Sequence, residues 1–247
     1  MNSSCPAILG VFTDERERKA GRGAASTREF TQRIHWLVLR LEEDQCLALP
    51  LNERGLPGEV RRPLSRAELL GGFEPAPHIF RDHLLSVLAG LRDKLEILGG
   101  PRALEHLSPD EAQALKALSI AREMDVQADD IQLARLLLAG LPAGVVEFGE
   151  RAAHDLNGEG VGLRRDGQAA RAVVFLSKAL EMSPRDDHLH FNLARAYYDK
   201  KDEAGCRRCL EDALRLNPDL DPARRFLRFL DVGKAALHRG PLIVEGL

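Results

Sequence analysis

Three groups of residues in this 247-residue chain have types and spacings that could support chemistry. The first is Cys206-Arg207-Arg208-Cys209, a C-x-x-C pair with two guanidinium groups that would favour thiolates. A thioredoxin-type pair sits at a helix N-terminus after a strand, whereas the residues around this one read as the middle of a helix. A zinc site needs two further ligands, and Cys5 and Cys46 offer no matching pair. The second group is Gly158-Glu159-Gly160-Val161-Gly162, superficially a phosphate-cradling loop. Such a loop follows a strand, opens a helix and, in its Walker form, carries a lysine and a hydroxyl residue, and none of these is present. The third group is Arg164, Arg165 and Arg195, whose planar guanidinium groups suit charge-assisted, bidentate bonds to carboxylates. The histidines are scattered, and His188-Leu189-His190 puts two on opposite sides of a helix, so neither a metal triad nor a Ser/His/Asp arrangement emerges. No catalytic residue, cofactor site or metal site is expected.

Composition narrows the partners. A net charge of −3 and a pI near 6.3 give no global attraction to nucleic acid or to membrane surfaces. Arg61-Arg62 and Arg224-Arg225 are too short, and too balanced by acids, to read as nucleic-acid stripes. Aromatic residues at 5% argue against a large aromatic-lined catalytic cavity. Four cysteines in a chain this long point to a reducing, cytoplasmic setting. The apolar stretch Ala7 to Phe12 is too short and lacks the basic lead of a signal peptide, and no run approaches the roughly 18–20 apolar residues of a membrane span.

The elements that must position these residues change character along the chain. Ile8–Phe12 is a short apolar run, Asp14–Lys19 a charged stretch, and Gly21-Arg22-Gly23 a turn signal. Phe30–Leu41 alternates, with Ile34, Trp36 and Val38 on one face and His35, Leu37 and Leu39 on the other, which predicts a strand covered on both sides. Cys46–Leu51 runs extended into the breaker cluster Asn52–Gly58, completing a hairpin that Ile8–Phe12 and Val60–Leu64 would join. An isolated hairpin is marginal in water, so this sheet needs a further strand or a helix behind it. From Ser65 the pattern is helical. Ser65-Arg66-Ala67-Glu68 and Ser108-Pro109-Asp110-Glu111 have capping-box spacing. Phe73–Pro77 reads as a linker. Phe80, Leu84, Leu88, Leu91, Leu95 and Leu98 form a helical stripe stopped at Gly99-Gly100-Pro101, and a helical hairpin follows from Pro109 to about Met124 and from about Asp130 to Ala139.

Beyond Ala153 the chain repeats at a period of 34 residues. Ala153–Asp186 laid over Asp187–Leu220 pairs Leu163 with Tyr197, Gly167 with Lys201, Leu176 with Leu210, Ala179 with Ala213, Leu180 with Leu214 and Pro184 with Pro218. A fixed period of this size marks a solenoid, in which a hairpin buries its apolar face only against a neighbour. These residues resemble the tetratricopeptide repeat, with His190, Leu193, Ala194, Tyr197, Cys206, Ala213 and Pro218 in its slots and Lys201 where glycine is usual. The resemblance is strong over 153–220 and degenerate over 109–142, and it does not reach the N-terminal region. The whole layout is similar to bacterial proteins with a short β-rich segment ahead of such repeats. A last helix, Ala223–Leu237, reads as the polar cap of the solenoid, with Phe226, Leu227 and Leu230 inward and Arg224, Arg225 and Arg228 outward.

The residue pattern and the resemblance together predict an α+β, mainly α chain: a β-rich unit over 1–64, connecting helices over 65–108, a repeat domain over 109–240 and a tail over 241–247. The resemblance implies a non-enzymatic adaptor or scaffold that binds a partner's peptide in its concave groove, lined by the first helix of each hairpin. Carried over, the groove positions are His154, Asn157, Gly158, Val161, Arg164 and Arg165, then His188, Phe191, Asn192, Arg195, Tyr198 and Asp199. Asn192 falls where the family often places an asparagine that bonds ligand backbone, and the arginines imply an acidic preference. The family's full carboxylate clamp is absent, because a lysine is missing from the first helix. The resemblance also puts Cys206 in a small buried slot and the glycine cluster inside a helix, with Gly160 in the small slot. Homo-oligomer assembly through the solenoid edge or the Trp36-bearing sheet is the alternative reading, and redox or metal use of Cys206 and Cys209 stands behind both.

Overall fold

The structure, a computed structural model, describes residues 6–20, 28–98, 100–119, 130–142 and 145–238. Contacts along the chain divide it after Arg151 into two compact units. The turn signal at 21–23, the end of the helix at 124, Cys5 and the tail at 241–247 lie outside the described residues.

The first unit is built on an antiparallel sheet of five strands, β1 Ala7–Ala20, β2 Arg28–Arg40, β3 Gln45–Pro50, β4 Arg62–Ser65 and β5 Glu74–Pro75, in the order β4-β3-β2-β1-β5. The expected hairpin is β2–β3, in which Trp36 faces Pro50 and Leu39 faces Leu47. Trp36, Leu37, Val38 and Leu39 are all buried, so both faces of β2 are covered, as the alternation demands. Two expectations need correction. The charged stretch Asp14–Lys19 is strand, in register with β2 to Ala20↔Arg28, and the supposed linker Phe73–Pro77 contributes the edge strand β5. The only buried carboxylate on the sheet among the described residues is that of Asp14. It accepts from Arg62 Nη1 at 3.0 Å, while that guanidinium also lies 5.8 Å and 5.1 Å from the ring centroids of Trp36 and Phe73.

The capping boxes form as the spacing predicts. Ser65 N donates to Glu68 Oε2 at 2.8 Å and Glu68 N to Ser65 Oγ at 3.2 Å, opening α1 Arg66–Gly72. After α2 Pro77–Ile79, one turn of π-helix at Phe80–Leu84 leads into α3 Leu85–Ile97. Phe80, Leu84, Leu88, Leu91 and Leu95 are buried, whereas Leu98, expected on the same stripe, is exposed beyond the helix end. Gly100 and Pro101 do not break the chain; they open α4 Gly100–Glu105. Helices α5 Pro109–Ser119 and α6 Asp130–Ala139 pack on α3, with Arg135 Nη2 donating to Leu95 O at 2.6 Å. Glu111 of the second box is itself buried and accepts from Ser108 N and Lys94 Nζ, each at 2.6 Å. Burial pushes its pKa up, but the bonds from Lys94 and Ser108 outweigh burial and hold it below the usual carboxylate range. Contacts therefore group α5 and α6 with the sheet, whereas the sequence places them at the head of the repeat domain.

The second unit takes up the helix α7 Val145–Arg165 and continues with α8 Ala169–Met182, α9 Asp187–Asp199, α10 Glu203–Leu216 and α11 Asp221–His238. Asp186 and Asp202 cap α9 and α10, accepting from Leu189 N at 3.0 Å and Gly205 N at 2.8 Å. The small slots do what the repeat pattern asks. A Cβ on Gly160 would stand 2.6 Å from Leu176 Cγ, so α7 and α8 touch backbone to side chain there, while Gly158 and Gly162 face open space. The turn between paired helices needs left-handed backbone, which Gly167 adopts at φ 78° and Lys201 at φ 69°. Glycine adopts this region freely and lysine does not. Lys201→Gly is therefore expected to stabilise the chain by about 1 kcal/mol, read as a higher urea midpoint with an unchanged slope.

Candidate functional site

Helices α7 and α9 carry the predicted groove residues, and side-chain contacts link α7 to α9 and α9 to α11. Asn192 Nδ2 donates to Asn157 Oδ1 at 2.9 Å, joining α9 to α7. Two turns further along, Arg164 Nη1 donates to Asp199 Oδ2 at 2.9 Å. The spacing of these pairs is 35 residues, one more than the period, because the positions that meet across neighbouring hairpins are offset by one. Tyr198 then reaches α11, packing edge-on against Phe226 at 5.2 Å and Phe229 at 6.0 Å between centroids.

Of the twelve positions expected to line the groove, seven make side-chain contacts on this surface: Asn157 with Asn192, Arg164 with Asp199, Tyr198 with Phe226 and Phe229, and Arg195 with Phe191. The Arg195 guanidinium lies 5.8 Å from the centroid of Phe191, one turn back on α9. Val161 and Phe191 are half-buried, and Arg165 and His188 are exposed. His188 has no hydrogen bond or ion pair among the described residues. Positive charge is crowded around Arg195. Burial first, then the charges of Arg164 and Arg165, push the pKa of Arg195 down, and Asp199 opposes them. Arg164 has the Asp199 carboxylate, while among the described residues no carboxylate lies within ion-pair distance of Arg195.

Two residues on this surface escaped the sequence reading. Phe229 and Val232 are large, apolar and well exposed on α11. The step of three from Phe226 to Phe229 and again to Val232 is the available signal, but it reads equally well as the inward stripe of a capping helix.

The cysteine pair behaves oppositely to what its arginines suggest. Cys206 and Cys209 are buried in α10, and burial raises both thiol pKa values to about 11. Arg207 is turned away to Asp231 at 2.7 Å and Glu203 at 3.8 Å, so it lends the thiols little. Both are protonated at neutral pH. Iodoacetamide at pH 7.5 is expected to leave Cys206 and Cys209 unmodified in the native chain and to label both in urea, as peptide mass mapping would show.

Helical hairpins stacked at a fixed period define an α-solenoid, a class whose usual work is to present a surface to another polypeptide. Residues 163–227 match the family model described as tetratricopeptide repeat, and this part of the chain is a tetratricopeptide repeat region. The chain matches no curated protein. The repeat makes the chain a protein–protein interaction module in the general sense. No helix among the described residues is long and apolar enough to cross a membrane.

Proposed function

We propose that the chain is a non-enzymatic adaptor that holds an acidic peptide segment of a partner protein along α7, α9 and α11. The observation that carries this reading is the crowding of Arg164 and Arg165 beside Arg195, with the Asp199 carboxylate held by Arg164, next to the Asn157–Asn192 pair. A carboxylate of the ligand would replace water on Arg195, whose positive charge is already disfavoured by its neighbours. Asn192 would bond ligand backbone by exchanging its present bond to Asn157. So short a groove implies micromolar affinity. Affinity capture with wild type and with the Asn192→Ala/Arg195→Glu variant tests the proposal. Proteins held by the wild type should be lost from the variant; capture of the same proteins by both would reject the groove.

A further inference from the structure

The helix that closes the repeats keeps their period. α9 starts at Asp187 and α11 at Asp221, 34 residues later, and the buried positions Leu189 and Ala196 recur as Ala223 and Leu230. The same step carries the groove positions of α9 onto α11: Asn192 onto Phe226, Arg195 onto Phe229 and Tyr198 onto Val232. The surface therefore changes character from helix to helix. Arginine and asparagine side chains mark it on α7 and α9. On α11 apolar residues take their places, and Phe229 and Val232 are 58% and 68% exposed. Tyr198 makes the join, packed edge-on against both Phe226 and Phe229.

Cations flank this apolar end. Lys201 Nζ lies 5.8 Å from the Tyr198 ring centroid. Arg225 and Arg228 are exposed one helical turn before Phe229 and Val232. The carboxylates on these two helices are already engaged. Asp187 accepts from Asn217, Asp199 is held by Arg164, Asp221 by Arg224 and Asp231 by Arg207. An apolar patch with a basic rim suits a segment that brings a large apolar side chain and a carboxylate together. A second copy of this chain would bring the same cations instead.

Helix spacing sets how far apart those two groups stand. Packed helices lie about 8–10 Å apart, and a polyproline II segment advances about 9 Å per turn of three residues, with every third side chain on one side. On the reading that an acidic segment crosses α7 and α9, we infer that its ligand class carries an apolar anchor as well. A leucine, isoleucine, methionine or phenylalanine, about three positions from the carboxylate, sits on Phe229 and Val232 while the carboxylate meets Arg195. Charge draws the segment to the groove, and burial of the anchor selects which segment stays.

Peptide display on the full chain tests the inference, with a library in which a fixed Asp-Glu pair has random positions on both sides. Selection on the wild type should enrich a large apolar residue about three positions from the pair. Titrated by fluorescence anisotropy, the tightest peptide should weaken about tenfold when that residue is replaced by alanine. Phe229→Ser/Val232→Ser, checked for an unchanged circular dichroism spectrum, should bind both peptides alike. The enrichment is read on the wild type alone, so it decides the matter even if the variant unfolds. Acidic peptides without an apolar preference, or an anchor effect that persists in the folded variant, would overturn the inference and leave the acidic groove standing. Recovery of no acidic peptide would reject both. A wild-type dimer in sedimentation equilibrium that the variant abolishes would give the patch to a second copy and overturn the inference too.

Discussion

Phe175→Ala is expected to destabilise the repeat region by about 3–5 kcal/mol, the range for emptying a fully buried aromatic position. Phe175 is completely buried on α8, next in sequence to Leu176, against which α7 closes at Gly160. The packing there is too tight to collapse cheaply: Gly160 has no side chain to move inward, and Ala172 and Ala179, one turn before and after, are fully buried and small. In a solenoid each hairpin is stabilised by its own packing and by its immediate neighbours, so the loss falls on the contacts of a few helices. With total stabilities of about 5–15 kcal/mol, a loss of this size removes much of the margin. Urea unfolding followed by circular dichroism measures it. A change below about 1 kcal/mol would mean that α8 is not the packed centre of this unit.

The second large effect concerns binding. Arg195→Glu is expected to weaken an acidic peptide by a factor of about 10–100 while leaving the fold intact. The side chain is half-exposed and makes no ion pair among the described residues, so its removal orphans no carboxylate. A glutamate at this position would face Arg164 and Arg165, the same cations that disfavour the native charge. It would thus relieve repulsion in the free protein while opposing the ligand. Arg195→Lys keeps the charge but loses the planar fork, and should fall between the two. Calorimetric titration at two salt concentrations separates these terms, since the wild-type affinity, and not that of Arg195→Glu, should fall with salt. Equal affinity of wild type and Arg195→Glu would contradict the prediction.

The parts of this fold that could be read from the chain are those with a local physical cause. Ser65 and Glu68, or Ser108 and Glu111, meet because a helix start brings positions three apart together. Gly167 and Lys201 align at the period because the same left-handed turn recurs, and the lysine there is the departure from pattern that the backbone angle marks. Strand β2 was readable because its alternating faces are both apolar. Its partner was not: Glu15 to Lys19 has no apolar alternation, and only pairing with β2 makes it a strand. Strand β5 is two residues long and is defined by its neighbour, not by itself. The π-helical turn at Phe80–Leu84 depends on packing that no spacing rule conveys.

The site divides in the same way. The repeat assigned Asn157, Arg164, Asn192, Arg195 and Tyr198 to one kind of helix, and contacts between these helices join them or their immediate neighbours. The arginines beside the cysteines would favour thiolates, but the repeat register places Cys206 in a small buried slot. Burial raises both thiol pKa values, in line with that packing slot. Phe229 was missed because an exposed aromatic and a buried one share the same spacing on a capping helix.

The central claim is that an acidic segment lies along α7 and α9, and hydrogen exchange measures it most directly. The full chain would be compared alone and saturated with the tightest acidic peptide from a display selection. Slowed exchange at 153–165 and 187–199, with 7–20 and 28–50 unchanged, is the predicted result. Protection confined to the sheet, or none within α7 and α9 despite saturation, would contradict it.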